Sequence, residues 1–139
     1  MADIRTINES VSVAPQITVD DIVAIKAAGF VAIVNNRPDE EEAGQPAGDA
    51  IRAAAEAAGL AYVAIPITHA GFSHPQIDAM TQALPAADGP VLAYCRSGTR
   101  CTMLWALSQH GVMDDQEITL RAAKAGYDVS GLLSRLRTR

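Results

Sequence analysis

Two short, uninterrupted apolar runs constrain this 139-residue chain more than any other feature: Phe-Val-Ala-Ile-Val at 30–34 and Pro-Val-Leu-Ala-Tyr at 90–94. A strand with one face in water alternates polar and apolar side chains. A strand that is apolar at every position is buried on both faces, as in a parallel sheet covered by helices. Residues 61–67 read as a third such strand and 11–14 as a fourth, ended by Pro15. Helical stretches separate them. One is opened by Thr18 as N-cap, with Asp21 three residues on, and stops at Gly29; others are expected at 47–58, 75–84, 101–110, 114–125 and 129–136. Strands that alternate with helices need crossover connections, so the expected fold is α/β, a mainly parallel four- to five-stranded sheet with helices on both sides. The length and the absence of a linker-like stretch predict one domain over 1–139, with a core at about 10–112 and C-terminal helices at 114–139.

Composition removes several classes of function. A net charge of −5, from 11 basic and 16 acidic side chains, gives no electrostatic footprint for nucleic acid. No apolar run approaches the roughly 18 residues of a membrane span, and Met1 to Arg5 lacks the order of a secretion signal, so a cytoplasmic protein with no membrane contact is expected. Cys95 and Cys101 are too few and too close for a disulfide framework. His69, His74 and His110 are dispersed, and no phosphate-binding or dinucleotide glycine motif is present. Neither metal nor organic cofactor is expected.

In open parallel sheets ligands bind beyond the carboxyl ends of the strands, which brings the loops at 35–40, 68–74 and 95–100 to one rim. The last of these carries the chemistry. Tyr94-Cys95-Arg96-Ser97-Gly98-Thr99-Arg100 sets a thiol between a strand and a helix start, where unpaired backbone N–H groups and the helix dipole favour negative charge. The thiolate is the reactive form of cysteine, and such surroundings lower its pKa. Gly98 permits the positive φ that lets successive N–H groups converge. The guanidinium of Arg100 can grip an oxyanion, and the hydroxyls of Ser97 and Thr99 are candidate partners for the sulfur. Cys101 shares a helix face with Leu104 and Trp105, which suggests a packed thiol; the alternative is a resolving cysteine.

These residues resemble the phosphatase-like domain of beta-lactamase hydrolase-like proteins, related in fold to cysteine-dependent tyrosine phosphatases. The resemblance rests on Val13-Ala14-Pro15-Gln16-Ile17, on Gly29-Phe30 leading into Asn35-Asn36-Arg37-Pro38-Asp39, on Gly44-Gln45-Pro46, and on the loop from Cys95 to Arg100. It implies a phosphatase-like α/β sandwich with Cys95 as nucleophile and Arg100 as anion ligand. The backbone of Arg96, Ser97, Gly98 and Thr99 would form the cradle, with Asn35 and Arg37 near the entrance. Two departures stand out. Four residues, not five, separate Cys95 from Arg100, as in rhodanese-type sulfurtransferases, and from Pro66 to Ile77 there is no carboxylic acid to protonate a leaving oxygen. Asp78 falls inside the next helix, which leaves His69 and His74 as candidate general acids. The acidic run Asp39 to Glu42 reads as a solvated loop, with Asp39 bracing Arg37.

Both departures favour sulfur transfer through a Cys95 persulfide, with thiosulfate or a low-molecular-weight persulfide as the small anionic substrate. The alternative is phosphate-ester hydrolysis through a Cys95 phosphocysteine. A second alternative is a non-enzymatic anion or persulfide sensor.

Overall fold

The computed structural model describes residues 3–68 and 70–137, with side-chain surroundings as far as residue 133. In chain order the strands are β1 (Arg5–Thr6), β2 (Val11–Ala14), β3 (Ala32–Asn35), β4 (Ala61–Ala64) and β5 (Val91–Tyr94). The helices are α1 (Ile22–Ala27), α2 (Gly48–Ala57), α3 (His74–Ala86), α4 (Thr99–Gln109), α5 (Asp115–Lys124) and α6 (Ser130–Arg137). The sheet order is β1-β2-β5-β3-β4, and every neighbouring pair is parallel except β1 with β2. The expected α/β sheet is therefore present, as a mixed five-stranded one.

The apolar runs work as anticipated, one face for each side. Val11, Val13, Ala32, Val34, Val91 and Ala93 pack with Met80 of α3, Leu104 and Trp105 of α4, Ile118 of α5 and Leu133 of α6. Ala14, Ile33, Leu92 and Tyr94 face Ile22 and Ile25 of α1 and Ile51 and Ala55 of α2. Each large apolar side chain withdrawn from water in this way contributes roughly 1.5–3 kcal/mol, which holds the strands in one register.

Several boundaries differ from expectation, and α4, for one, begins two residues early at Thr99. Strand β3 starts at Ala32, because Phe30 leaves the positive-φ turn at Gly29 to pack with the α1 and α2 residues, and it runs on to Asn35, whose side chain finds partners inside the protein. Strand β4 stops at Ala64, after which Ile65 and Ile67 donate their N–H groups to Asn35 O and Asn36 O. Helix α3 begins one residue early, at His74, where Ser73 and Gln76 close a reciprocal cap. Strand β5 lies between β2 and β3, so the loop after Tyr94 opens at the middle of the sheet's carboxyl edge.

Candidate active site

The loop from Cys95 to Gly98 is tied down at its first step. Cys95 N–H donates to Ala14 O of β2 at 3.3 Å, and Asn36 N–H donates to Tyr94 O at 2.9 Å, so both neighbouring strands hold the exit of β5. Gly98 then turns into the left-handed region (φ 90°) as the residue before α4. That turn aims its N–H at Cys95 Sγ, 3.1 Å away, and Thr102 Oγ1 donates to the Gly98 carbonyl at 2.8 Å. Cys95 has no exposed surface and belongs to the apolar core on the α3–α4 side, yet its sulfur accepts the Gly98 N–H. The hydroxyls of Ser97 and Thr99 bond each other at 3.0 Å, not the sulfur, and the side chain of Arg96 points into solvent.

The Cys95 thiol is pulled from an ordinary 9.0 down to about 6. The first cause is a hydrogen bond from the Cys101 thiol; burial opposes it, and the N–H groups of Cys101, Gly98 and Ser97 add to it. Cys101 itself is fully buried, and burial together with the neighbouring sulfur pushes its thiol well above the ordinary range. Two thiols in contact have thus been driven apart, one toward thiolate and the other toward a permanent S–H donor. Cys101 packs in the core with Leu104 and Trp105, as its helix face predicts, and its thiol bears on the Cys95 sulfur as well.

Arg100, on the first turn of α4, meets Glu41 in a bidentate pair: Nη1 to Oε2 at 2.7 Å and Nη2 to Oε1 at 2.8 Å. Nη1 also donates to Ile67 O at 2.8 Å. A guanidinium has five N–H donors in one plane, and these contacts take three of them. Among the described residues the other two, Nε–H and the second N–H of Nη2, meet no acceptor; together they form the side-on fork, the geometry that matches two oxygens of a carboxylate or phosphoryl group. Glu41 also accepts from Arg37 Nε at 2.8 Å, and Arg37 donates through Nη1 to Gln16 Oε1 at 3.0 Å. The Glu41 carboxyl is held at about 2, first by the Arg100 hydrogen bond, against burial, and then by Arg37. Glu42 bridges Arg37 and Arg96 at 3.4 and 3.3 Å, but Glu42 and Arg96 are more than half exposed, and such pairs contribute little.

Several expectations are corrected by this geometry. The acidic run is a loop in which Asp39, Glu40 and Glu42 are exposed, as expected, but Glu41 turns inward as the hub between two arginines. Asp39 does not brace Arg37; its Oδ1 accepts from Gly48 N–H at 2.8 Å, at the start of α2. Asn35 and Arg37 are linked to the site from below its surface, Arg37 through Glu41 to Arg100. Both are buried, with Asn35 Nδ2 donating to Tyr62 Oη and its Oδ1 accepting the Arg37 N–H. The only hint of Glu41 in the sequence was its position four residues after Arg37. His74 is an exposed residue at the start of α3, whereas the group that reaches Arg100 from that rim is the Ile67 carbonyl. His69 lies outside the described residues. Among the described residues no group of three His, Cys, Asp or Glu side chains is placed to hold a metal, and no helix is long and apolar enough to cross a membrane.

Comparison with known proteins agrees with this architecture. The family described as beta-lactamase hydrolase-like protein, phosphatase-like domain, matches residues 3–112. A beta-lactamase hydrolase-like protein of Xylella fastidiosa strain Temecula1 is 38% identical over 125 residues, covering 88% of this chain and 29% of that protein. The chain therefore spans about three tenths of the length of that curated relative. A crystal structure of a candidate phosphatase from Neisseria meningitidis is 34% identical with a TM-score of 0.84, covering 96% of each chain. The active form of Tk-PTP is 18% identical with a TM-score of 0.74, covering 98% of this chain and 97% of that one, a likeness of fold.

Proposed function

The chain belongs to the phosphatase-like domain family of beta-lactamase hydrolase-like proteins, and from that premise we propose that it hydrolyses phosphate esters through a phosphocysteine at Cys95. One observation carries the proposal: Arg100, close enough to Cys95 for their charges to interact, is anchored end-on by Glu41 and Ile67 O, which among the described residues leaves its side-on edge for a ligand. A terminal persulfide sulfur is a single anionic atom that backbone N–H groups can satisfy. A transferring phosphoryl group spreads charge over three oxygens and uses a planar fork as well.

In the first step the Cys95 thiolate attacks phosphorus as the bond to the leaving oxygen breaks, and that oxygen departs with the bonding pair. The loop N–H groups and the fork of Arg100 hold the non-bridging oxygens. In the second step water attacks phosphorus, the P–S bond breaks, and phosphate and the thiolate are released. Glu41 cannot serve as the acid while two arginines keep it ionised, so an ester whose alcohol leaves without protonation is favoured. Aryl phosphates, with their acidic phenols, should turn over far faster than alkyl phosphates.

The short spacing between Cys95 and Arg100 supports a second reading, sulfur transfer. The test is steady turnover of para-nitrophenyl phosphate by the protein and by Cys95→Ser, alongside intact-mass measurement after thiosulfate. Turnover that vanishes in the variant, with no sulfur added to Cys95, supports the phosphatase. An added sulfur on Cys95 without ester turnover overturns it.

A further inference from the structure

Tyr127 belongs to the segment between α5 and α6, beyond the family match, which ends at residue 112. Its Oη–H donates to the carbonyl of Ser97 at 3.0 Å. The carbonyl of Ser97 and the N–H of Gly98 are two ends of one peptide unit, and in a trans unit they point in opposite directions in one plane. The outer end therefore meets the phenol of Tyr127, while the inner end donates to Cys95 Sγ at 3.1 Å. The phenol lies so close to Gly98 that a β-carbon there would collide with its oxygen.

Tyr127 is itself held in place. Its N–H donates to Ala122 O at 2.9 Å. Its ring packs against the core that contains α4 and α5, and the guanidinium of Arg5 lies 5.8 Å from the ring centroid. Arg5 Nη1 in turn donates to Ala125 O at 3.1 Å. Burial pushes the phenol pKa up, so the hydroxyl remains a donor at neutral pH.

We propose that Tyr127 is a positioning residue for the nucleophile: by bonding the Ser97 carbonyl it fixes the plane of the 97–98 peptide so that the Gly98 N–H stays aimed at Cys95 Sγ. The bond does two things. It opposes rotation of that peptide away from the sulfur, and by accepting a hydrogen bond the carbonyl polarises its own amide, which strengthens the inner bond by cooperativity. A tyrosine near the C-terminal end of the described fold thereby tunes a thiolate 32 positions earlier in the sequence.

The proposal rests on Cys95 being the nucleophile, and the test separates the two ideas. The pH dependence of Cys95 alkylation by iodoacetamide, assigned by peptide mass spectrometry, is measured in the wild type and in Tyr127→Phe, with thermal unfolding recorded on the same samples. Phe keeps the ring and its packing and removes only the hydroxyl. The groups that bear on the sulfur, the Cys101 thiol and the Arg100 guanidinium, are the same in both proteins. The apparent pKa is expected to rise by about half to one unit in Tyr127→Phe, slowing alkylation about three- to tenfold below pH 6, with the unfolding midpoint little changed. Tyr127→Leu, which also loses the ring, should raise it at least as much. A low thiol value that stays the same in both variants overturns the role of Tyr127 and leaves Cys95 as nucleophile. An ordinary thiol value in the wild type overturns both.

Discussion

Replacing Glu41 by Gln keeps the length of the side chain and removes the charge on which Arg37 and Arg100 converge. At about 1.36 kcal/mol for each tenfold change in acidity, the fall of the carboxyl from 4.5 to about 2 bounds its contribution at roughly 3.4 kcal/mol. Glu41 and Arg100 are 17% and 22% exposed, so water screens part of this, and Gln retains one acceptor oxygen. The loss expected in Glu41→Gln at pH 7 is about 2 kcal/mol, read from urea unfolding. The sign of its pH dependence follows from the direction of the change. A carboxyl whose folded pKa is depressed contributes fully above its unfolded value of 4.5 and loses that contribution as pH falls toward 2. Wild-type and variant stabilities should therefore converge on acidification. Catalysis should suffer separately, because an untethered Arg100 no longer presents its fork in one place; a loss of about 30- to 100-fold in kcat/KM for para-nitrophenyl phosphate is expected. Equal stability at pH 7 together with unchanged kcat/KM would refute the anchoring role.

Cys101→Ala should raise the alkylation pKa of Cys95 well above 6, since it removes the leading donor to the sulfur, and Cys101→Ser, which restores an O–H donor, should recover most of the difference. If the Ala variant titrates like the wild type, the S–H donor is not what lowers the thiol. The Cys95 thiol titrates at about 6 when folded against 9.0 for an ordinary thiol, so its ionised form contributes stability that is complete above pH 9 and is lost as pH falls through 6. Relative to Cys95→Ser, wild-type stability should rise between those values, and parallel profiles would count against an ionised sulfur.

The sheet was legible in the sequence because Phe30 to Val34 and Val91 to Tyr94 are apolar at every position, a pattern that leaves a strand few places except the interior. Strand β1 was not, because Arg5 and Thr6 are exposed polar residues, and only their backbone pairing with β2 makes them a strand. Cys95 and Arg100 were visible because strand end, glycine and helix start are contiguous. Glu41 was hidden for the opposite reason: three successive glutamates look alike, and only folding decides that the middle one turns in toward Arg37 and Arg100 while Glu40 remains exposed. Tyr127 carried no signal, since its contact with Ser97 arises from where α5 packs. The preference for sulfur chemistry came from counting loop residues and from the lack of a carboxylic acid between Pro66 and Ile77. Neither could register how the guanidinium is anchored by Glu41 and Ile67 O, and that anchoring is what supports the phosphoryl-transfer proposal.

The most direct measurement is a single turnover of para-nitrophenyl phosphate, with nitrophenolate followed in a stopped-flow instrument and the quenched protein analysed by peptide mass spectrometry. A burst of about one nitrophenolate per chain, with a phosphoryl group on the peptide containing Cys95, is the predicted result. Nitrophenolate release that proceeds undiminished in Cys95→Ser, or a wild-type protein that turns over the ester without ever carrying phosphate on that cysteine, would contradict it.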